Sequence, residues 1–487
     1  MSRSLDEWDS YNFAFALSDY DVVRHRPHPP GYPLYVFFGR LALYFTKDPL
    51  TALTVVSAFS GAFTVVPIYW ITRKMYDRAT AVLVSAAIAT TPTLWISSEC
   101  ALSDTLFTFL LSLSVFLLYS GKKGSEKSFQ LSFLVYGLAI GARPTPAALA
   151  FLVLWIPATK SVLSRMSSVR TVVRGFIGFL MGCVIWFLPM IALVGWNNYW
   201  LAMMKMFVES GTTESAWSRT MGLDPIGRLA HIIVQIMTFS LGGAFVGTDP
   251  LFAATNPYFF LHGALLVTAI MMFFLSIRKI VDRMFLFLWI VPYFTFTYFF
   301  GTLNYPRYYL PIIPGFMIPI VASTLLVMKD VIGRLASWRP SRHTKAMLQF
   351  GFPALLIGSF FINTLGFAII IHSELAPTRQ VFNYVTVNYS PHTTIIEFHE
   401  HRVFEYYHNN MQYLHVLEDE NKVFAVLSRF SPNGTVLLTT SAYNYLISHP
   451  VIAQLHVTTI NEFFRDPHVV VEDHRIRLYR VTSVKLR

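Results

Sequence analysis

The feature that most constrains this chain is a recurrence of long apolar runs separated by short basic linkers. The runs cover roughly 50–72, 79–95, 103–119, 128–142, 145–158, 173–194, 228–247, 257–277, 284–300, 308–328 and 347–371. An upright membrane helix needs about 20 predominantly apolar residues. The pattern therefore predicts a polytopic α-helical membrane bundle of about 10–11 helices over residues 50–371. The runs 128–142 and 145–158 are the shortest, and are expected to extend into adjacent residues or to pack inside the bundle. Hydrophobic residues make up 54% of the chain and charged residues only 13%. Soluble domains carry about 25% charged residues, so the composition excludes an ordinary cytosolic enzyme.

Eighteen of the 38 basic residues fall in five linkers, around 73–78, 122–127, 160–174, 278–283 and 329–345. Such linkers are expected on the cytoplasmic side. The opposite face then receives 1–49, 96–102, 143–144, the 195–227 loop, 301–307 and everything beyond 371. The net charge of +11 is thus a topology signal, and no nucleic-acid partner is implied. The 228–247 run breaks the alternation and is expected to be a broken, re-entrant or interface-lying element, tolerable at membrane depth where protein covers it. The two cysteines, Cys100 and Cys183, make neither a disulfide scaffold nor a cysteine zinc site.

Residues 372–487 have a different character. Ten of the 15 histidines lie here, with frequent charges. Thr393–Phe398, Thr435–Thr440 and the run from His474 to Arg480 read as strands. Stretches 421–429 and 441–448 read as helices between them. A small extracytoplasmic α/β domain is expected. It contains neither GxGxxG nor a P-loop, so a nucleotide role is unsupported.

The first 49 residues read as an acidic outer loop and a juxtamembrane helix. Asp6, Glu7, Asp9, Asp19, Asp21, Arg24, His25, Arg26 and His28 precede a turn held by Pro27, Pro29, Pro30, Gly31 and Pro33. The apolar segment Leu34–Phe45 is too short to span. Glu99 and Asp104 form a second acidic group at the same expected face, although Ser103 or Asp104 could simply cap the next helix. Arg307 stands among Tyr305, Tyr308 and Tyr309, which suits either interface anchoring or the binding of a lipid phosphate. Arg143 lies between two short spans, where a guanidinium is costly without a partner. Lys205, Arg219 and Arg228 are weaker candidates.

These motifs, taken in order, resemble the GT-C superfamily of integral membrane glycosyltransferases. The likeness is to the neighbourhood of the dolichyl-phosphate-mannose protein mannosyltransferases and the aminoarabinose transferases. The stretch His28–Tyr35, HPPGYPLY, is similar to the TMEM260-like branch of predicted O-mannosyltransferases. The resemblance covers about residues 1–371. It implies a polyprenyl- or dolichyl-phosphate monosaccharide donor and a protein, lipid or glycan hydroxyl as acceptor. It implies Asp9 as catalytic base, Asp104 as a second catalytic acid, and Arg307 with Arg143 on the donor phosphate. Glu7, His25, His28, Glu99 and Tyr305 become substrate contacts. Inverting transfer on the extracytoplasmic face follows, in the plasma membrane of a prokaryote or the endoplasmic reticulum of a eukaryote. A divalent cation, Mg or Mn, is compatible with two carboxylates but not established by them. Those families place a membrane helix before the acidic loop, so an apolar helix upstream of Met1 is expected. The competing classes are a non-catalytic envelope-assembly or binding protein and a lipid or solute transporter. A transporter would bury its polar groups at the bilayer midplane and often shows internal repeats.

Overall fold

The structure is a computed structural model. It describes residues 1–166, 169–213, 224–242, 257–301, 305–334, 341–398, 400–407, 411–430, 434–465 and 474–486. The chain divides into two compact units. One comprises Met1 and Ala16–Ala368, the other Ser2–Phe15 and Ile369–Arg487.

The first unit is helical. Among the described residues, eight helical stretches are long and apolar enough to cross a membrane, or nine if one bent pair counts as a single span. The chain is therefore a multi-pass membrane protein. Helix starts follow local chemistry: the carboxylates of Asp48 and Asp77 accept from the backbone N–H groups of Thr51 and Thr80, each at 2.8 Å. The bent pair is Arg78–Ala89 with Pro92–Glu99, which meet at 53°. Pro92 forces Thr91 into an extended conformation, and the axis turns there. The expected 128–142 run forms the helix Glu126–Ala142. It packs against Val169–Val194 through Gly137 and Gly182, where an added Cβ would lie 2.5 Å from the Phe179 carbonyl oxygen and 2.4 Å from that of Leu134, respectively. Such glycine pairs let membrane helices approach closely.

Two runs depart from simple spans. The 145–158 run starts as Pro146–Leu149, tightens to a 3₁₀ stretch at Ala150–Leu154, and resumes as Trp155–Met166. Within 228–247, an α-helix at Pro225–Val234 passes into a π turn at Gln235–Ser240; residues 243–247 lie outside the described residues. This element is not among the spans, and side chains meet its freed carbonyls. Thr93 donates to the Ser240 carbonyl at 3.0 Å and Asn363 to that of Gly242 at 3.2 Å. The helix Pro33–Thr46 leaves Phe37, Leu41, Tyr44 and Phe45 exposed. That apolar face fits a helix lying in the membrane interface.

The second unit is α/β. Its five strands are β1 (Thr394–Glu397), β2 (Gln412–His415), β3 (Val436–Thr439), β4 (Ile452–Phe464) and β5 (Arg475–Leu486), in the order β2-β1-β3-β5-β4. β1 pairs in parallel with β2 and β3, and β5 pairs antiparallel with β3 and β4. Val423, Leu427, Leu438, Leu446 and Val481 are among its buried core residues. Residues 2–15, grouped by the sequence with an outer loop and juxtamembrane helix, pack in this unit. Trp8, Tyr11 and Phe15 fall on one face of the helix Trp8–Ser18, at the i, i+3, i+7 spacing. Tyr11 meets the rings of Tyr406 and Tyr407 at 5.7 and 6.3 Å, and Phe15 meets Tyr406 at 5.4 Å.

Candidate functional site

In the helical unit, three residues singled out by the sequence converge. Asp104 opens the helix Asp104–Lys122. Its carboxylate accepts from Arg143 Nη1 at 2.5 Å and lies 3.7 Å from Arg307 Nε. Side-chain exposures are 3% for Asp104, 9% for Arg143 and 6% for Arg307, so the cluster is buried.

Backbone chemistry places each member. Arg143 ends the helix Glu126–Ala142 because Pro144 disfavours helical geometry at the preceding residue, and Arg143 adopts φ −147°, ψ 82°. Arg307 sits in a 3₁₀ turn, Pro306–Ile312. Three side chains hold the turn's carbonyls: Ser240 donates to Pro306 at 3.1 Å, Tyr293 to Tyr308 at 2.7 Å, and Trp289 to Pro311 at 3.1 Å. Ser103 makes no side-chain cap bond to the Asp104 helix. Two aromatic rings line the guanidiniums. Arg143 lies 4.6 Å from the Tyr308 ring, and Arg307 lies 4.5 Å from Tyr305 and 5.3 Å from Tyr308. Two guanidiniums facing one carboxylate give this trio a formal charge of +1. Guanidiniums are groups that pair with carboxylate and phosphate oxygens, often bidentately.

The remaining candidates are placed as follows. Glu99 is part-buried and accepts from Trp95 Nε1 at 2.7 Å. His28 shares a 3.0 Å hydrogen bond with the Tyr32 hydroxyl, and its ring packs on that of Tyr32 at 4.7 Å. His25 occupies a left-handed position, φ 57°, in the turn closed by Asp21 and Arg26. Asp19 and Asp21 are engaged there by Arg24 and Arg26. Burial opposes ionisation of Asp21, yet hydrogen bonds led by Arg24 hold its carboxyl below its ordinary range. Arg228 is buried and donates to the carbonyls of Tyr298 and Gly301 at 2.5 and 2.8 Å, which makes it a cap for the helix Arg283–Phe300. Lys205 is exposed. Arg219 lies outside the described residues.

Glu7 and Asp9 belong to the second unit. Glu7 is buried and its carbonyl accepts from the backbone of Ser10 at 2.9 Å. Asp9 is half-buried in the first turn of the helix Trp8–Ser18. Sequence reading missed the partner that fixes this segment: Arg465 Nη1 pairs with Asp6 Oδ1 at 2.6 Å, with both side chains at 1% exposure or less. The same unit buries a second acid, Glu397, at the end of β1. Burial, then the nearby Glu400, raises its carboxyl well above the ordinary range. Neighbouring His401 is driven down to about 3, first by burial and then by Arg402. Among the described residues, no group of three or more His, Cys, Asp or Glu side chains gathers as a metal site would require.

Residues 22–165 match the family model described as the Protein O-mannosyl-transferase TMEM260 N-terminal domain. No curated protein matches the chain by sequence. Among solved structures, ArnT from Cupriavidus metallidurans, both apo and bound to undecaprenyl phosphate, is 12% identical with a TM-score of 0.53. The alignment covers 98% of this chain and 94% of ArnT. The oligosaccharyltransferase of Archaeoglobus fulgidus, solved with a tethered acceptor peptide containing the NVT sequon, is 14% identical with a TM-score of 0.51. That alignment covers 90% of this chain and 65% of the archaeal one. The resemblance read from the sequence thus holds at both levels: the chain matches the TMEM260 N-terminal domain over residues 22–165 and shares the fold of the GT-C membrane glycosyltransferases.

Proposed function

We propose that this protein is a membrane glycosyltransferase. It moves a monosaccharide from a polyprenyl- or dolichyl-phosphate donor to a hydroxyl on a protein, lipid or glycan, at the extracytoplasmic face. The observation that carries this reading is the buried trio Asp104, Arg143 and Arg307. The family match and the shared fold support it. The two guanidiniums are the groups we assign to the donor phosphate, with Arg307 and Arg143 as its ligands and Asp104 fixing their separation. Tyr305, whose ring centre lies 4.5 Å from the Arg307 guanidinium carbon, would orient that planar group for a bidentate approach.

In the proposed step, the acceptor oxygen attacks the anomeric carbon and its proton passes to Asp9. The bond from the anomeric carbon to the phosphate oxygen breaks, and the polyprenyl phosphate leaves as an anion stabilised by arginine. A leaving group already anionic needs no strong acid. One displacement inverts the anomeric centre, so the product linkage has the configuration opposite to the donor's. Glu7, His25, His28 and Glu99 are second-rank candidates for contacts to sugar or acceptor.

The experiment is turnover of dolichyl-phosphate mannose with a Ser/Thr peptide by the purified full chain in nanodiscs. Asp9→Asn is expected to abolish transfer while the protein stays folded. Arg307→Ala is expected to lower affinity for dolichyl phosphate by roughly 10–100-fold, the loss of one charge-assisted contact. Unchanged phosphate affinity in Arg307→Ala, with full turnover in Asp9→Asn, would sink the assignment.

A further inference from the structure

We propose that the C-terminal unit positions the segment bearing Asp9, with the buried Asp6–Arg465 pair as its fastener. This inference rests on Asp9 as general base and names the residues that hold it. Asp6 lies immediately before Glu7, the residue from which the helix Trp8–Ser18 springs. Its carboxylate takes Arg465 Nη1 at 2.6 Å and the Ser4 hydroxyl at 3.1 Å. Arg465 Nη2 also donates to the Ile371 carbonyl at 3.2 Å, and the Ala376 backbone donates to Ser4 at 2.9 Å. The entry to the helix is therefore tied to β4's end and to the 371–376 connection. The helix itself is held along one face. Arg402 lies 5.7 Å from the Trp8 ring and 5.8 Å from that of Phe15, while Tyr11 packs against Tyr406 and Tyr407. Asp9 stands next to this face, about 100° round the helix from Trp8.

The chemistry of the pair favours a positioning role over a purely stabilising one. Asp6 Oδ2 and Arg465 Nε are buried with no hydrogen-bond partner among the described residues, so the contact is a single bond rather than a fork. Apolar residues of similar volume would often stabilise such a site as well or better, and the best-attested use of a buried ion pair is to fix register. Arg465 and Asp6 act through Asp9 and touch no reacting atom.

The test uses the full chain in nanodiscs. The double variant Asp6→Asn/Arg465→Gln removes both charges and leaves no unpaired buried ion, which keeps it foldable where a single variant could fail. Amide hydrogen exchange over residues 8–15 is expected to accelerate by about tenfold or more, as local opening becomes easier, while exchange in β1 and β3 stays unchanged. With dolichyl-phosphate mannose and a Ser/Thr peptide, kcat is expected to fall by about tenfold, at constant donor KM, as a small misplacement predicts. Arg465→Lys keeps the charge and is expected to recover part of the loss. Unchanged exchange over 8–15 overturns the proposal, and so does acceleration spread evenly through 369–487. Asp9→Asn separates the two readings. Should it retain full turnover, the base assignment falls while the exchange result still decides whether the fastener exists.

Discussion

The protein buries two ionic clusters of opposite design. In the helical unit, two guanidiniums face one carboxylate, and aromatic rings line them. In the C-terminal unit, one arginine meets one aspartate, and the neighbouring hydrogen bonds go to backbone and a serine. The first cluster is formally cationic and the second neutral. The neutral pair joins segments 459 positions apart in the chain and so serves to hold them together. The trio instead brings two guanidiniums, groups that pair with carboxylate and phosphate oxygens, to one carboxylate. Burial alone therefore does not mark a site; the kinds of groups brought together distinguish the two clusters.

Variants can break this contrast. The largest effect is expected from Asp104→Asn, which leaves two buried guanidiniums without their shared carboxylate. Removing one partner of a buried pair costs about 3–5 kcal/mol, and thermal unfolding of the detergent-solubilised chain should show a loss of that order along with lost turnover. Arg465→Ala is expected to cost a similar amount, because it strands Asp6. Arg307→Ala should behave differently: Asp104 keeps Arg143, so stability should fall by less than in Arg465→Ala while donor affinity drops about 10–100-fold. Equal destabilisation by Arg465→Ala and Arg307→Ala would erase the distinction between fastener and receptor.

A pH series sharpens the picture of the C-terminal unit. Glu397 has a raised folded-state pKa, so its contribution to stability is complete below its unfolded value near 4.3 and is lost as pH rises toward the folded value. His401 is lowered to about 3, so its contribution is present above its unfolded value near 6.5 and is lost as pH falls toward 3. The two effects therefore run in opposite directions with pH. Glu397→Gln is therefore expected to flatten the fall in stability as pH rises above about 4.3, measured by amide hydrogen exchange in β1 and β3 of the full chain. The smallest effect belongs to the exposed Arg24–Asp21 pair. Asp21→Asn should cost at most about 1 kcal/mol and fade in high salt.

Much of the helical unit was legible in the sequence because apolar length is a local signal. The 50–72 run became Pro49–Met75 and the 103–119 run became Asp104–Lys122. Asp104, Arg143 and Arg307 were each visible as costly charges beside apolar runs, although nothing local said that they would meet. The 145–158 run concealed its 3₁₀ stretch, since a change in helical pitch leaves the apolar pattern intact. In the second unit, β1, β3 and β5 were legible as apolar or alternating runs, and β2 and β4 were not. β2 is short, and β4 mixes polar residues along both faces. The Asp6–Arg465 pair was illegible in principle: no periodicity links residues 459 positions apart.

That separation has a consequence in time. Ribosomes add about 5–20 residues per second, so Asp6 is made roughly 20–90 s before the arginine that secures it. Throughout that interval the segment bearing Asp9 must wait while helix after helix enters the bilayer. A nascent chain arrested before Arg465 could carry every membrane span, and even the cationic trio, yet leave its acidic segment unsecured. Closure of the Asp6–Arg465 pair is thus among the last long-range contacts that the chain can make.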